Sequence, residues 1–224
     1  MEVYTYAFLK IPTVELELPL GIGQRVQLVP GTQICAVVEL DVDINRLQGD
    51  DALLVQAIVA HDRTLGELFQ QQCLLPLRFG TLFRSLQALQ EHLVTREGEY
   101  LEKLERFVGQ GEYILKGLKR PEPELDISTE VRGKAYLMAK KQRYQATQAF
   151  QNEQAAQWDW ICRQVTEWYP QAIATDLEDQ SHRIFLLAPI QEEPLLYERF
   201  QEWQQTCSAW ELQLGDALPP YHFV

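Results

Sequence analysis

A proline sits inside the apolar run Leu74-Leu75-Pro76-Leu77, and the run closes on Arg78, Phe79 and Gly80. Proline has no amide hydrogen to give to a strand ladder, so this segment is predicted to be an edge strand or a bulge rather than a central strand. Arg78 at its end must be paired or turned to water, because an isolated cation is too costly to bury.

The segments on either side set the order of elements. Residues 3–9, rich in aromatic and β-branched types, are predicted as a strand, and a loop marked by proline and glycine follows from Lys10 to Gly23. Val26, Leu28, Ile34, Ala36 and Val38 alternate across Pro30-Gly31, a hairpin signal. Asp50 or Asp51 can cap a helix in which Leu54, Ala57, Ile58, His61, Leu65, Leu68 and Phe69 recur at helical spacing. Strand, loop, hairpin, helix, strand is the order of a ferredoxin-like module whose first helix is replaced by a loop.

From Ser85 to Phe107 a helical pattern returns, and Gly98 is expected to divide it into two pieces, since glycine costs ~1 kcal/mol in a helix interior. Residues 112–119 then open a second module as a strand. Pro121 and Pro123 force an extended link, and Ser128 or Thr129 can start a helix that runs to Trp168, just before Pro170. Unbroken, that helix would be ~57 Å long, so a bend or a projecting end is expected. Strands near 171–177 and 182–188, a helix over 192–207 and a strand at 209–214 complete the full ferredoxin-like order. The predicted fold is α+β. It comprises two tandem modified ferredoxin-like modules joined by a helical segment, with domains at 1–110 and 111–214 and a proline-containing tail at 215–224.

Composition limits the functions available. The 224 residues are 46% apolar, ordinary for a soluble globular protein. No run approaches the ~18 apolar residues of a membrane-spanning helix, no secretory signal is visible, and a cytoplasmic location is expected. The net charge of −12 is shared: residues 1–110 carry 9 basic and 15 acidic side chains, and residues 111–224 carry 11 and 17. A field of that sign repels phosphate backbones, so neither nucleic acid nor a lipid membrane is expected as a partner. Cys35, Cys73, Cys162 and Cys207 lack the close spacing of thiolate metal sites and are expected to be buried, inert thiols.

The search for chemistry finds no catalytic, cofactor or metal constellation. His61 and Asp62 are neighbours on a helix and diverge by about 100°. His61 shares its face with Ala57, Ile58 and Leu65, the setting of a core histidine. His92, His182 and His222 have no companion at metal-ligand or triad spacing. Gly21-Ile22-Gly23 and Gly109-Gln110-Gly111 do not open helices after strands, so both are predicted as turns rather than phosphate loops.

Two features stand out as surfaces. Between Val131 and Asn152 there is no acid, while Arg132, Lys134, Lys140, Lys141 and Arg143 supply cations with Tyr136 and Tyr144 among them. On a helix, 134, 137, 141 and 144 share one face, and 132, 136, 140 and 143 share its neighbour. This stripe is either a solvated helix face or a docking surface for an acidic partner. The other feature is the closing stretch with Pro219, Pro220, Tyr221 and Phe223, which is stiff and apolar. It either packs into a groove of its own chain or docks on another.

Several blocks fall in an order that resembles the gas vesicle GvpF/GvpL family. They are Tyr4-Thr5-Tyr6-Ala7-Phe8, then His61 and Leu65, Leu-Pro-Leu-Arg-Phe-Gly-Thr-Leu-Phe at 75–83, Gly133-Lys134-Ala135-Tyr136-Leu137 with Lys140-Lys141, and Pro219-Pro220-Tyr221-His222-Phe223. The family's tail usually reads Gly-Pro-Trp-Pro-Pro-Tyr, whereas this chain reads Gly215-Asp216-Ala217-Leu218-Pro219-Pro220-Tyr221.

The resemblance implies a non-catalytic minor component or assembly factor of gas vesicles. It would contact the small hydrophobic shell protein and other accessory proteins, lie at the gas-facing side, and need no cofactor. His61, Arg78, Phe79 and Gly80 are expected to form a structural pivot between the modules. The competing readings are a small cofactor-free oxygenase-type enzyme, with His61, Arg78 and Tyr6 lining a pocket, and a small-molecule regulatory module.

Overall fold

The computed structural model describes residues 2–122, 133–176 and 181–224. Their contacts divide the chain into two compact units, Met1–Glu112 with Ala217–Val224, and Tyr113–Asp216. The fold is mixed α+β, with two antiparallel sheets.

The sheet of the first unit runs β2 (Gln27–Pro30), β3 (Ile34–Leu40), β1 (Val3–Lys10), β4 (Leu74–Pro76), and β5 (Leu82–Phe83) also pairs with β1. Pro76 therefore lies in an edge strand, opposite Ala7. β1 is buried along almost its whole length, and its register with β3 shifts between Thr5 and Ala7. An extra residue there reverses the in-and-out alternation. Tyr4 and Tyr6 before the shift, and Ala7 and Leu9 after it, thus share one core with Leu65 and Leu68 of α2 (Asp51–Phe69). Phe8 faces the other way, against Tyr100 (centroids 4.7 Å apart) and His92 of α3 (Leu86–Phe107).

α2 and α3 begin where a side chain caps them. The Asp50 carboxylate accepts from the amides of Ala52 and Leu53, and the Ser85 hydroxyl accepts from Ala88. α3 is one unbroken helix, not two pieces. Leu89 and Leu93 before Gly98, and Leu104 and Phe107 after it, are all buried, and Gly98 itself is exposed. Four anchored apolar side chains outweigh a glycine penalty of ~1 kcal/mol. A short helix, α1 (Ile44–Gln48), and the two-residue β5 were not anticipated.

β6 (Gln110–Lys119) leads into the second unit, whose sheet is ordered β7 (Ile173–Asp176), β8 (Ser181–Pro189), β6, β9 (Trp210–Leu214). In chain order, both sheets place their strands second, third, first, fourth. Two helices join the sheet, α4 (Lys134–Trp168) and α5 (Glu193–Thr206), the latter after a short 3-10 turn. The Trp158 ring of α4 packs on Gly117 of β6, where a β-carbon would lie 2.3 Å from the ring, so only glycine leaves it room. Trp158, Trp210 and His182 form a triangle with centroids 4.9 Å apart.

α4 is unbroken over its described 35 residues, and its buried positions are Gln154, Trp158, Ile161 and Val165. Most of Lys134–Glu153 is exposed, so the long helix has an uncovered N-terminal half. The expected caps Ser128 and Thr129 lie outside the described residues.

Candidate functional site

The loop between β1 and β2 is held by a buried carboxylate. Glu39, near the end of β3, is 1% exposed. Its Oε2 accepts from the Tyr6 hydroxyl at 2.5 Å and the Ile22 amide at 2.7 Å. Its Oε1 accepts from the amides of Gly23 (2.7 Å) and Gln24 (2.6 Å). Converging backbone amides of this kind form a nest for an anion, and here the anion is the protein's own. A β-carbon on Gly21 would lie 2.1 Å from the same carboxylate. From α2, Arg63 and Thr64 donate to the Leu20 carbonyl, and Leu16, Leu18 and Ile22 pack on the β1 core. The Gly21-Ile22-Gly23 turn thus serves structure, as its spacing predicts.

His61 is 1% exposed and has both ring nitrogens engaged. The Leu77 carbonyl can only accept, so Nε2–H donates to it at 3.1 Å, and Nδ1 then accepts from the Tyr4 hydroxyl at 2.8 Å. The Gly80 amide donates to the same hydroxyl, at 3.3 Å. The imidazole stacks on Tyr6 at 5.0 Å and meets Phe79 edge-on at 5.7 Å. Burial lowers its pKa and raises those of Tyr4 and Tyr6, so all three rings are held neutral.

Three of the four expected pivot residues, His61, Phe79 and Gly80, are therefore brought together. The Arg78 side chain is exposed, while its carbonyl accepts from Thr81. The pocket that an enzyme reading requires from His61, Arg78 and Tyr6 is not formed: two of the three are sealed against each other and the third faces water.

The other histidines also contact neighbouring side chains. His92 bonds the Tyr100 hydroxyl at 2.7 Å, one turn pair along α3, and packs on Phe83. His182 packs between two tryptophans. The described cysteines are free: Cys35 and Cys207 are buried as expected, whereas Cys73 and Cys162 are only half-buried, and burial pushes the thiol pKa of Cys35 up to about 12 and those of Cys73 and Cys207 up to about 11. Among the described residues, no group of three His, Cys, Asp or Glu side chains could hold a metal, and no helix is long and apolar enough to cross a membrane.

The tail lies against the first unit. Glu112 and Leu218 pair as an antiparallel bridge, with mutual backbone bonds of 2.9 and 2.8 Å. The Glu112 carboxylate, with no exposed side-chain surface, accepts from the His222 amide at 2.8 Å and from its Nδ1–H at 2.6 Å. Pro219 and Pro220 are buried, Phe223 is half-buried, and Tyr221 packs on the β1 core.

On α4, Lys134, Tyr136, Lys140, Lys141 and Arg143 are all exposed, while Arg132 lies outside the described residues. A groove of about 1030 Å³ in the second unit has Lys119, Arg120, Glu122, Asp159, Cys162 and His182 in its lining.

Sequence reasoning missed both buried carboxylates. The available signals were one acid closing the apolar run Ile34–Val38 and another following Gly109-Gln110-Gly111.

The model of the family described as gas vesicle synthesis protein GvpL/GvpF matches residues 2–224. The fold is similar to the crystal structure of gas vesicle protein GvpF from Microcystis aeruginosa, with a TM-score of 0.69 and 15% identity over 99% of this chain and 98% of that one. It is also similar to that of GvpF from Anabaena sp. PCC7120, with a TM-score of 0.71 and 14% identity over 99% of this chain and 95% of that one. No curated protein sequence matches the chain. The chain belongs to the GvpL/GvpF family of gas vesicle synthesis proteins, and its role is tied to gas vesicles.

Proposed function

We propose that the protein is a non-catalytic minor component or assembly factor of gas vesicles that contacts the small hydrophobic shell protein and lies at the gas-facing side. The observation that carries this reading is a family match running the whole length of the chain. The consumption of His61, Glu39 and Glu112 by internal hydrogen bonds supports it, because these buried polar groups serve the scaffold rather than a substrate. The strand order shared by the two sheets supports reading them as two modified ferredoxin-like modules.

Within this reading, the exposed cations of α4 form a docking surface for an acidic partner. Pro219, Pro220, Tyr221 and Phe223 act as a self-docked clamp, and the His61–Phe79–Gly80 cluster is rigid support. The test is co-expression with the shell protein followed by crosslinking and pull-down. Recovery of the shell protein with the parent chain, and not with an unrelated acidic protein, supports the proposal. Failure to recover it under conditions that assemble vesicles opposes it.

A further inference from the structure

The exposed half of α4 and the outer face of α2 are complementary in charge and both carry uncovered apolar side chains. From Lys134 to Asn152, α4 has four cations (Lys134, Lys140, Lys141, Arg143) and no acid. Among them Leu137 is 66% exposed, Met138 53% and Tyr144 69%. At 100° per residue, Lys134, Leu137, Met138, Lys141 and Tyr144 fall on one side of the helix.

On α2, Val55 is 60% exposed and Val59 62%, with Ile58 at 38%. Asp51, Val55, Ile58 and Asp62 share a face by the same spacing, so an acid lies at each end of the apolar stripe. α2 itself carries three acids (Asp51, Asp62, Glu67) against one cation (Arg63), and Asp50 caps it, so it is acidic where the exposed half of α4 is basic.

We propose that the α4 stripe of one copy docks on the α2 face of a second copy of this chain. A chain of net charge −12 repels its own kind at long range, so self-association needs a polarised contact, and this pair of surfaces supplies one. Donor and acceptor surfaces differ, so the contact is heterologous. After one contact, one copy still has its α2 face free and the other its α4 stripe, so a second contact remains available to the pair. A single helix-on-helix contact buries less than the ~1,200 Å² of a standard stable interface, which makes the association weak, dependent on concentration and sensitive to salt. The proposal rests on α4 being a contact surface and names its partner.

The experiment is sedimentation equilibrium of the full chain from about 10 µM to about 1 mM, at low salt and at about 0.5 M salt. Three samples are compared: the parent, a K134E/K141E variant and a V55K/V59K variant, with circular dichroism confirming that each is folded. The parent is expected to gain mass with concentration and to lose that gain in high salt, and each variant alone to associate at least tenfold more weakly. An equimolar mixture of the two variants should form a 1:1 pair that grows no further, because each retains the surface the other lacks.

A parent that stays monomeric throughout would overturn the proposal, as would a mixture that does not pair, or self-association abolished by the α4 change and untouched by the α2 change. If K134E/K141E weakens capture of the vesicle shell protein while self-association is absent, the proposed function stands and this inference falls.

Discussion

The carboxylate of Glu39 and the hydroxyl of Tyr6 meet at 2.5 Å inside the first unit, and both hold the Ile22 amide of the loop between β1 and β2. Three backbone amides complete the site, so a charge that would be costly in isolation is stabilised by oriented dipoles. Glu39→Gln turns an amide NH2 toward amides that also donate. A loss of about 3–5 kcal/mol in stability is expected, as for a broken buried charge site. Urea unfolding followed by far-ultraviolet circular dichroism measures it, and Gly21→Ala should act on the same site non-additively.

His61 gives the fold a pH dependence with a defined sign. Its folded pKa lies below the unfolded value, so at acid pH the unfolded chain binds a proton that the folded chain refuses. Its contribution to stability is therefore complete above the ordinary histidine pKa of about 6.5 and is lost as pH falls below it, at no more than about 1.4 kcal/mol per pH unit. His92 is shifted in the same direction. The melting temperature of the parent should fall between pH 7 and pH 5, and His61→Gln should flatten part of that slope while lowering stability throughout. An unchanged slope would contradict the neutral assignment of His61.

Gly117→Ala places a methyl carbon inside the Trp158 ring, and overpacking of this kind costs about 1–3 kcal/mol. All five tryptophans lie between residues 158 and 210, so tryptophan fluorescence reports the second unit alone. The fluorescence midpoint in urea should fall for Gly117→Ala, and Trp158→Leu added to it should recover part of the loss.

The tail can be tested by graded removal. His222→Ala keeps the main-chain bond to Glu112 and loses the ring bond, for about 1–2 kcal/mol. Deleting residues 218–224 leaves the Glu112 carboxylate without either donor and uncovers the site of Tyr221, so a larger loss of about 3–5 kcal/mol is expected. Equal effects of the two changes would mean that the tail's backbone and apolar contacts contribute nothing.

Much of the architecture was readable where local pattern and tertiary demand agree. Pro76 marked an edge strand, Asp50 a helix start, and His61 a core position from the apolar face it shares. The rest depended on contacts distant in sequence. The register shift between Thr5 and Ala7 breaks the alternation that would have divided the faces of β1. The continuity of α3 across Gly98 comes from the packing of Leu93 and Leu104, which no local propensity contains. Glu39 and Glu112 carry no local sign of burial, because their amide donors lie 15 to 17 and 110 positions away. A buried charge satisfied by main chain leaves no side-chain motif to find.

The proposed role in gas vesicles is tested most directly by an immunoblot of the protein across urea-washed vesicles and soluble cytoplasm of its host. The account predicts signal that survives in washed vesicles and resists surface proteolysis. Signal confined to the cytoplasm, with vesicles forming normally in the protein's absence, would contradict it.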